Sequence, residues 1–143
     1  MQDYLLHHLL GHSAKQYPEK EAFVYQENSI TYAELEKKSG GLALKLLQMG
    51  VKRGDRIGIF LGKSLEMIIS LFGILKAGGI YVPIDPLAPW NRVAFIIKHC
   101  GIECLIASSK NMEKLFSGFH GRRSPEILLR NASRSSNPTM TAL

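Results

Sequence analysis

The groups in this chain that could do chemistry are five histidines, two cysteines and a scatter of small polar residues, and their spacing decides what each could do. His8 and His12 stand four residues apart with His7 adjacent, so one helix face would carry two imidazoles of the kind that bind a transition metal. No carboxylate or cysteine accompanies them, and they read as surface histidines. His99, Cys100 and Cys104 form a second possible ligand cluster. Their placement at a helix end and inside the apolar run ECLIA makes them buried thiols instead. Arg53-Gly54-Asp55 spells an adhesion tripeptide, but it lies in VKRGDRIGI, between a helix that ends and a strand that begins, where a turn calls for glycine. Asn131-Ala132-Ser133 matches a glycosylation acceptor and is expected to be inert, since no secretory signal precedes it. These groups form no constellation of nucleophile, base or metal ligand, so no catalytic, cofactor-binding or metal residue is assigned.

The elements that would position such groups follow from hydrophobic periodicity. Tyr4, Leu5, Leu6, Leu9 and Leu10 recur at helical spacing over residues 3–16, closed by Pro18. Residues 22–25 and 29–31 read as two strands of a hairpin around Gln26-Glu27-Asn28. A helix over 32–49 places Leu35, Leu42, Leu46 and Met49 on one face, sets Glu34 against Lys38 one turn on, and finishes at Gly50. RIGIFL, residues 56–61, alternates with little polarity, as a strand covered on both faces does. Ser64 then caps a helix running to Ala77 that is apolar almost all round, which requires deep burial. A short strand at Ile80 follows, then a helix opening at Pro89 and closing at Gly101, then a strand over 102–107. Strand, helix, strand, helix, strand with short links predicts a mainly parallel α/β sheet with flanking helices. Beyond Lys114 the periodicity decays through Gly118, Gly121 and Pro125. A brief apolar run at 127–129 stands alone, and 131–143 is expected to be disordered.

Two stretches combine these signals. In ITYAEL, residues 30–35, Thr31 and Glu34 can cap a helix reciprocally. In LKAGGIYVPID, residues 75–85, Gly78 and Gly79 end a helix, 80–82 is a β-prone run, and Pro83 removes the donor that would extend it. These stretches resemble the first and second core motifs of the adenylate-forming superfamily, which holds acyl-CoA synthetases and the adenylation domains of nonribosomal peptide synthetases. The resemblance covers roughly residues 5 to 115 and implies two regions: 1–116 as the truncated N-terminal part of an AMP-binding domain, and 117–143 as a low-complexity basic tail. It further implies that complete relatives activate a carboxylic or amino acid with ATP and magnesium to an acyl-adenylate, then transfer it to the thiol of coenzyme A or phosphopantetheine. The family's phosphate loop, magnesium contacts and carboxy-terminal lysine fall in regions this sequence does not include. Ser117 to Arg122, SGFHGR, superficially resembles that phosphate loop, but Phe119 and His120 stand where the family has small residues and the lysine is missing. The chain is therefore expected to be inactive alone and to hold no cofactor by itself. The missing C-terminal part of a synthetase is the partner that the resemblance suggests. The alternatives are a non-catalytic interaction module that completes a split synthetase and the product of a truncated or frameshifted gene.

Composition narrows the remaining classes. With 143 residues and 45% hydrophobic content the chain can bury a real core. Its net charge of +6 is concentrated late, because residues 109–143 hold 6 Lys and Arg against 2 Asp and Glu. The tail arginines lack a folded reading element or interleaved aromatics, which argues against nucleic acid. The apolar stretch 67–84 is broken by Lys76, the glycine pair and Pro83 below the roughly 20 residues that a spanning helix needs, which argues against a membrane. Two cysteines and no export signal point to a reducing, cytoplasmic setting.

Overall fold

The computed structural model describes residues 5–119. At its centre is β3 (Arg56–Phe60), whose last four residues are all buried. β4 (Ile80–Pro83) and β5 (Cys104–Ala107) flank it in the order β4-β3-β5, both parallel to it, as the alternation of buried helices and strands predicted. Arg56 lies opposite Ile80, and Ile57 lies opposite both Tyr81 and Cys104.

Because successive β residues face opposite sides of a sheet, β3 supplies two cores. Ile57 and Ile59, joined by Ile106 of β5, meet α2 (Tyr32–Gln48) and α3 (Leu65–Lys76) through Ala43, Leu46 and Ile74. On the other face, Phe60 joins Ile84 and Leu105 beneath α4 (Trp90–His99) and α5 (Ser109–Phe119), which contribute Val93, Ile97 and Leu115. A third cluster of Leu10, Ile30, Leu35, Ile69 and Phe72 ties α1 (Leu6–Gln16) and the hairpin of β1 (Glu21–Tyr25) and β2 (Asn28–Thr31) onto the first helical layer. α3 therefore lies between the sheet on one side and α1 with the hairpin on the other, and none of its residues is exposed. This is the deep burial that its all-round apolar surface required.

Both sequence motifs act as structural joints. The Thr31 hydroxyl accepts from the Glu34 amide at 3.2 Å and the Glu34 carboxylate accepts from the Thr31 amide at 3.0 Å, closing the capping box that starts α2. At the end of α3, the Gly78 amide donates to Leu75 O and the Gly79 amide to Ile74 O, the paired bonds of a Schellman turn, and Gly78 takes φ 79°. Gly79 serves a different need, since a Cβ there would come within 2.7 Å of Ile57 Cδ1 and 3.1 Å of Ile74 Cγ2. The pair thus lets α3 stop and β4 start while both stay against β3.

Three details differ from the sequence reading. The hairpin turn is tighter than expected, with Tyr25 opposite Asn28 and Gln26 at φ 54°. Pro89 is the N-cap of α4 rather than its first helical residue. The sequence reading also assigned no helix to α5, which runs on through Phe119, although Met112, Leu115, Phe116 and Phe119 recur there at helical spacing. This helix is held from outside its own sequence: the Ser108 hydroxyl accepts from the Asn111 amide at 3.3 Å, and Leu115 is buried against the second core. The expectations for residues 120–143, including disorder and the glycosylation acceptor, lie outside the described residues.

Candidate functional site

In an open parallel sheet, the place to look for a ligand is the crevice at the carboxyl ends of the strands, where successive crossovers leave in opposite directions. Here α3 follows β3 on one face and α5 follows β5 on the other, and a cleft of about 450 Å3 opens between the two departures. Leu61, Gly62, Lys63 and Ser64 form one wall, and Ala107, Ser108, Ser109 and Asn111 form the other.

The polar groups of this cleft are largely engaged in holding the walls. The Ser64 hydroxyl accepts from the Met67 amide at 3.2 Å and donates to Gly62 O at 3.3 Å, capping α3 as its sequence position indicated. Ser108 caps α5 in the same way. The Asn111 side-chain amide donates to Phe60 O at 3.0 Å, pinning the start of α5 to the last residue of β3. Lys63 and Glu66 leave one cationic and one anionic group at the lining. This arrangement stiffens a crevice but places no nucleophile beside a base.

The residues singled out by type do not converge on the cleft. His7 and His8 sit on α1 with ring centroids 4.6 Å apart, edge to face. Burial holds the His7 pKa below its ordinary value, with smaller contributions from His8 and Lys76. Lys76, of the LKAGG motif, reaches across to α2, where its ammonium lies 2.7 Å from Glu36 Oε2 and donates to Glu36 O at 3.0 Å. This ion pair joins α2 to α3 and had no sequence signature, since its partners are 40 residues apart.

The two thiols are separated by the sheet. Cys100 packs with the second core and Cys104 with the first. Burial, aided by Asp55, pushes the Cys104 thiol up to about 11, so it stays protonated and is a poor ligand or nucleophile near neutral pH. His99 instead stacks on Phe95, with centroids 5.2 Å apart. Among the described residues no group of three His, Cys, Asp or Glu side chains could hold a metal ion, and no helix is long and apolar enough to cross a membrane. Arg53-Gly54-Asp55 forms a turn, with Gly54 at φ 88° donating to Gly78 O and Asp55 Oδ2 accepting from the Lys52 amide at 2.7 Å. Of SGFHGR, residues 120–122 lie outside the described residues.

The family model described as AMP-binding enzyme matches residues 10–141. The chain is 42% identical over 114 residues to one of the proteins that make up the mycosubtilin synthase of Bacillus subtilis, covering 79% of this chain and 4% of that protein. It is 38% identical over 112 residues to syringomycin synthase SyrB1 of Pseudomonas syringae pv. syringae, covering 78% of this chain and 18% of that protein. Among solved structures, the nonribosomal peptide synthetase FmoA3 in its AMPPNP-bound form superposes with a TM-score of 0.74 at 32% identity, over 78% of this chain and 12% of that one. The anthranilate CoA ligase AuaEII shares the fold, with a TM-score of 0.72 at 23% identity over 80% of this chain and 23% of that one. The chain thus spans less than a fifth of the length of these curated relatives.

Proposed function

The chain belongs to the AMP-binding enzyme family, and from that premise we propose that it is the N-terminal part of an AMP-forming ligase that activates a carboxylic or amino acid as its acyl-adenylate. In this reading the complete enzyme uses ATP and magnesium for activation and passes the acyl group to the thiol of coenzyme A or phosphopantetheine. The single observation that carries it is the family match over residues 10–141, together with identities of 42% and 38% to the mycosubtilin and syringomycin synthases. The greater identity to the peptide synthetase FmoA3 than to the CoA ligase favours an amino-acid-adenylating parent.

Within that enzyme the described residues act as scaffold. A triphosphate needs several free amides or hydroxyls converging with a cation. In the cleft, Ser64 and Ser108 are committed to capping and Asn111 to Phe60 O, leaving Lys63 as the cationic group of the lining. These residues do not make a triphosphate cradle, so no step of the reaction is assigned to them. Their contribution is a rigid β3–β5 crevice against which later parts of the domain are positioned.

The test is exchange of labelled pyrophosphate into ATP in the presence of a panel of amino and aryl acids. The chain alone is expected to give the no-enzyme blank. Mixed with the remainder of a related AMP-binding domain, it is expected to give acid-dependent exchange. Acid-dependent exchange by the chain alone would overturn the scaffold assignment.

A further inference from the structure

α2 buries Leu35, Ser39 and Leu46 against the rest of the molecule and turns a different set of residues outward. Gly40, Gly41, Leu44 and Leu47 recur there at spacings of three and four, so they lie along one face of the helix, and both leucines are exposed. Glycine is a poor choice inside a helix, because it loses the most backbone freedom on folding and packs no side chain. Where this helical layer needs a glycine, the reason is visible: a Cβ on Gly73 of α3 would come within 2.7 Å of Leu42 Cδ2. A Cβ on Gly40 or Gly41 would meet nothing within 4 Å among the described residues. Packing within these residues therefore calls for neither glycine, and the pair leaves a shallow stretch of bare helix backbone beside two leucines. Small side chains at a contact are what allow a second helix to come close.

Charge narrows what could lie there. Lys37, Lys38 and Lys45 are exposed on α2, whereas its two carboxylates are committed, Glu34 to the capping box with Thr31 and Glu36 to Lys76. A second copy of the chain docking through the same face would set lysines against lysines. A lipid surface would attract the lysines and accept the leucines, but the two glycines offer it no side chain to insert. A helix with a narrow apolar seam and Asp or Glu along its flanks satisfies both features, laying the seam on the glycines and leucines and the carboxylates against the lysines.

We propose that the outward face of α2 docks an amphipathic helix of a partner protein, with its apolar seam on Gly40, Gly41, Leu44 and Leu47 and acidic flanks facing Lys37, Lys38 and Lys45. The two glycines then serve recognition at the expense of helix stability.

Fluorescence anisotropy with two labelled synthetic helices tests this on the complete chain at low concentration. Both peptides carry the same Ala/Leu seam, flanked by Glu in one and by Lys in the other. The Glu-flanked peptide is expected to bind at least about tenfold more tightly than the Lys-flanked one and to weaken as salt is raised. Gly40→Ala combined with Gly41→Ala should raise the midpoint of thermal unfolding by about 4 °C or more, since alanine is the better helix former. The same variant should bind the Glu-flanked peptide at least about tenfold more weakly, because the added methyl groups fill the strip. Leu44→Gln, a change at an exposed position that the fold should accept, is expected to weaken binding as well. Equal binding of the two peptides, a double variant that binds as the parent does, or a double variant with a lowered midpoint would each overturn the proposal. So would binding of phosphatidylserine vesicles, lost in Leu44→Gln, by a chain that ignores the Glu-flanked peptide.

Discussion

The two faces of the β3 sheet are covered to different depths. On the α2 and α3 face a second shell of α1 and the hairpin covers α3, which exposes no residue, while α2 keeps Leu44 and Leu47 62% and 49% exposed. On the α4 and α5 face one helical layer meets solvent directly, with Phe95 of α4 64% exposed and Leu87 ahead of it 87% exposed. Helix sequences explain much of this contrast. A helix apolar on all sides needs partners on all sides, whereas a one-sided helix such as α4, with Val93 and Ile97 inward and Arg92 and Lys98 outward, needs the sheet alone. Phe95 breaks that rule. This aromatic on the solvent side, stacked on His99, is matched on the other face by the exposed Leu44 and Leu47 of α2, so the contrast between the faces rests on the depth at which α3 lies.

Substitutions that separate the faces should show the contrast most strongly in the buried layer. Ile74→Ala opens a cavity where α3 meets β3 at a residue with no exposure, and a loss of about 2–5 kcal/mol in chemical unfolding is expected. Asn111→Ala should cost about 1 kcal/mol, by removing the bond that ties α5 to Phe60 O. Phe95→Ala should change stability by less than about 0.5 kcal/mol, since its side chain is mostly in solvent. A Phe95→Ala loss comparable to that of Ile74→Ala would show that the second face is covered after all.

A smaller effect probes the shell over the first face. The pKa of His7 in the folded chain is held below 6.5, chiefly by burial, so the folded state binds fewer protons than the unfolded state near that pH. Its contribution to stability is complete above pH 6.5 and is lost as pH falls through that value towards the folded pKa. His7→Gln should flatten this part of the stability profile. An unchanged profile would mean that His7 is not buried by α1 docking on α2 and α3.

Local chemistry made much of this molecule legible beforehand. Thr31 with Glu34, Ser64, Gly78 and Gly101 are start and stop signals whose geometry is contained in a few consecutive residues, and the structure uses each as read. That β3, β4 and β5 lie parallel followed from alternation alone, whereas their order in the sheet did not. α5 was signalled locally and passed over, for Ser108 is its cap and Met112, Leu115, Phe116 and Phe119 recur at helical spacing. The other features that escaped reading depend on distant partners, among them the bond from Asn111 that fastens α5 to Phe60 O. The Lys76–Glu36 ion pair and the cleft between β3 and β5 arise only when segments 40 residues or more apart are brought together. Cys100 and Cys104 show the converse. Close in sequence, they end in different cores because the sheet passes between them.

The proposal at stake is that this chain is one part of a larger AMP-binding domain, whose further segments would cover apolar side chains exposed here, such as Leu44, Leu87 and Phe95. Sedimentation velocity of the isolated chain over a range of concentrations tests it most directly. Apolar surface left for later segments to cover should drive association as concentration rises, and adding the remainder of a related AMP-binding domain should replace the associated species with a single stoichiometric complex. A chain that stays monomeric at every concentration and ignores the remainder would contradict the account, because it would show these residues to be a self-sufficient domain.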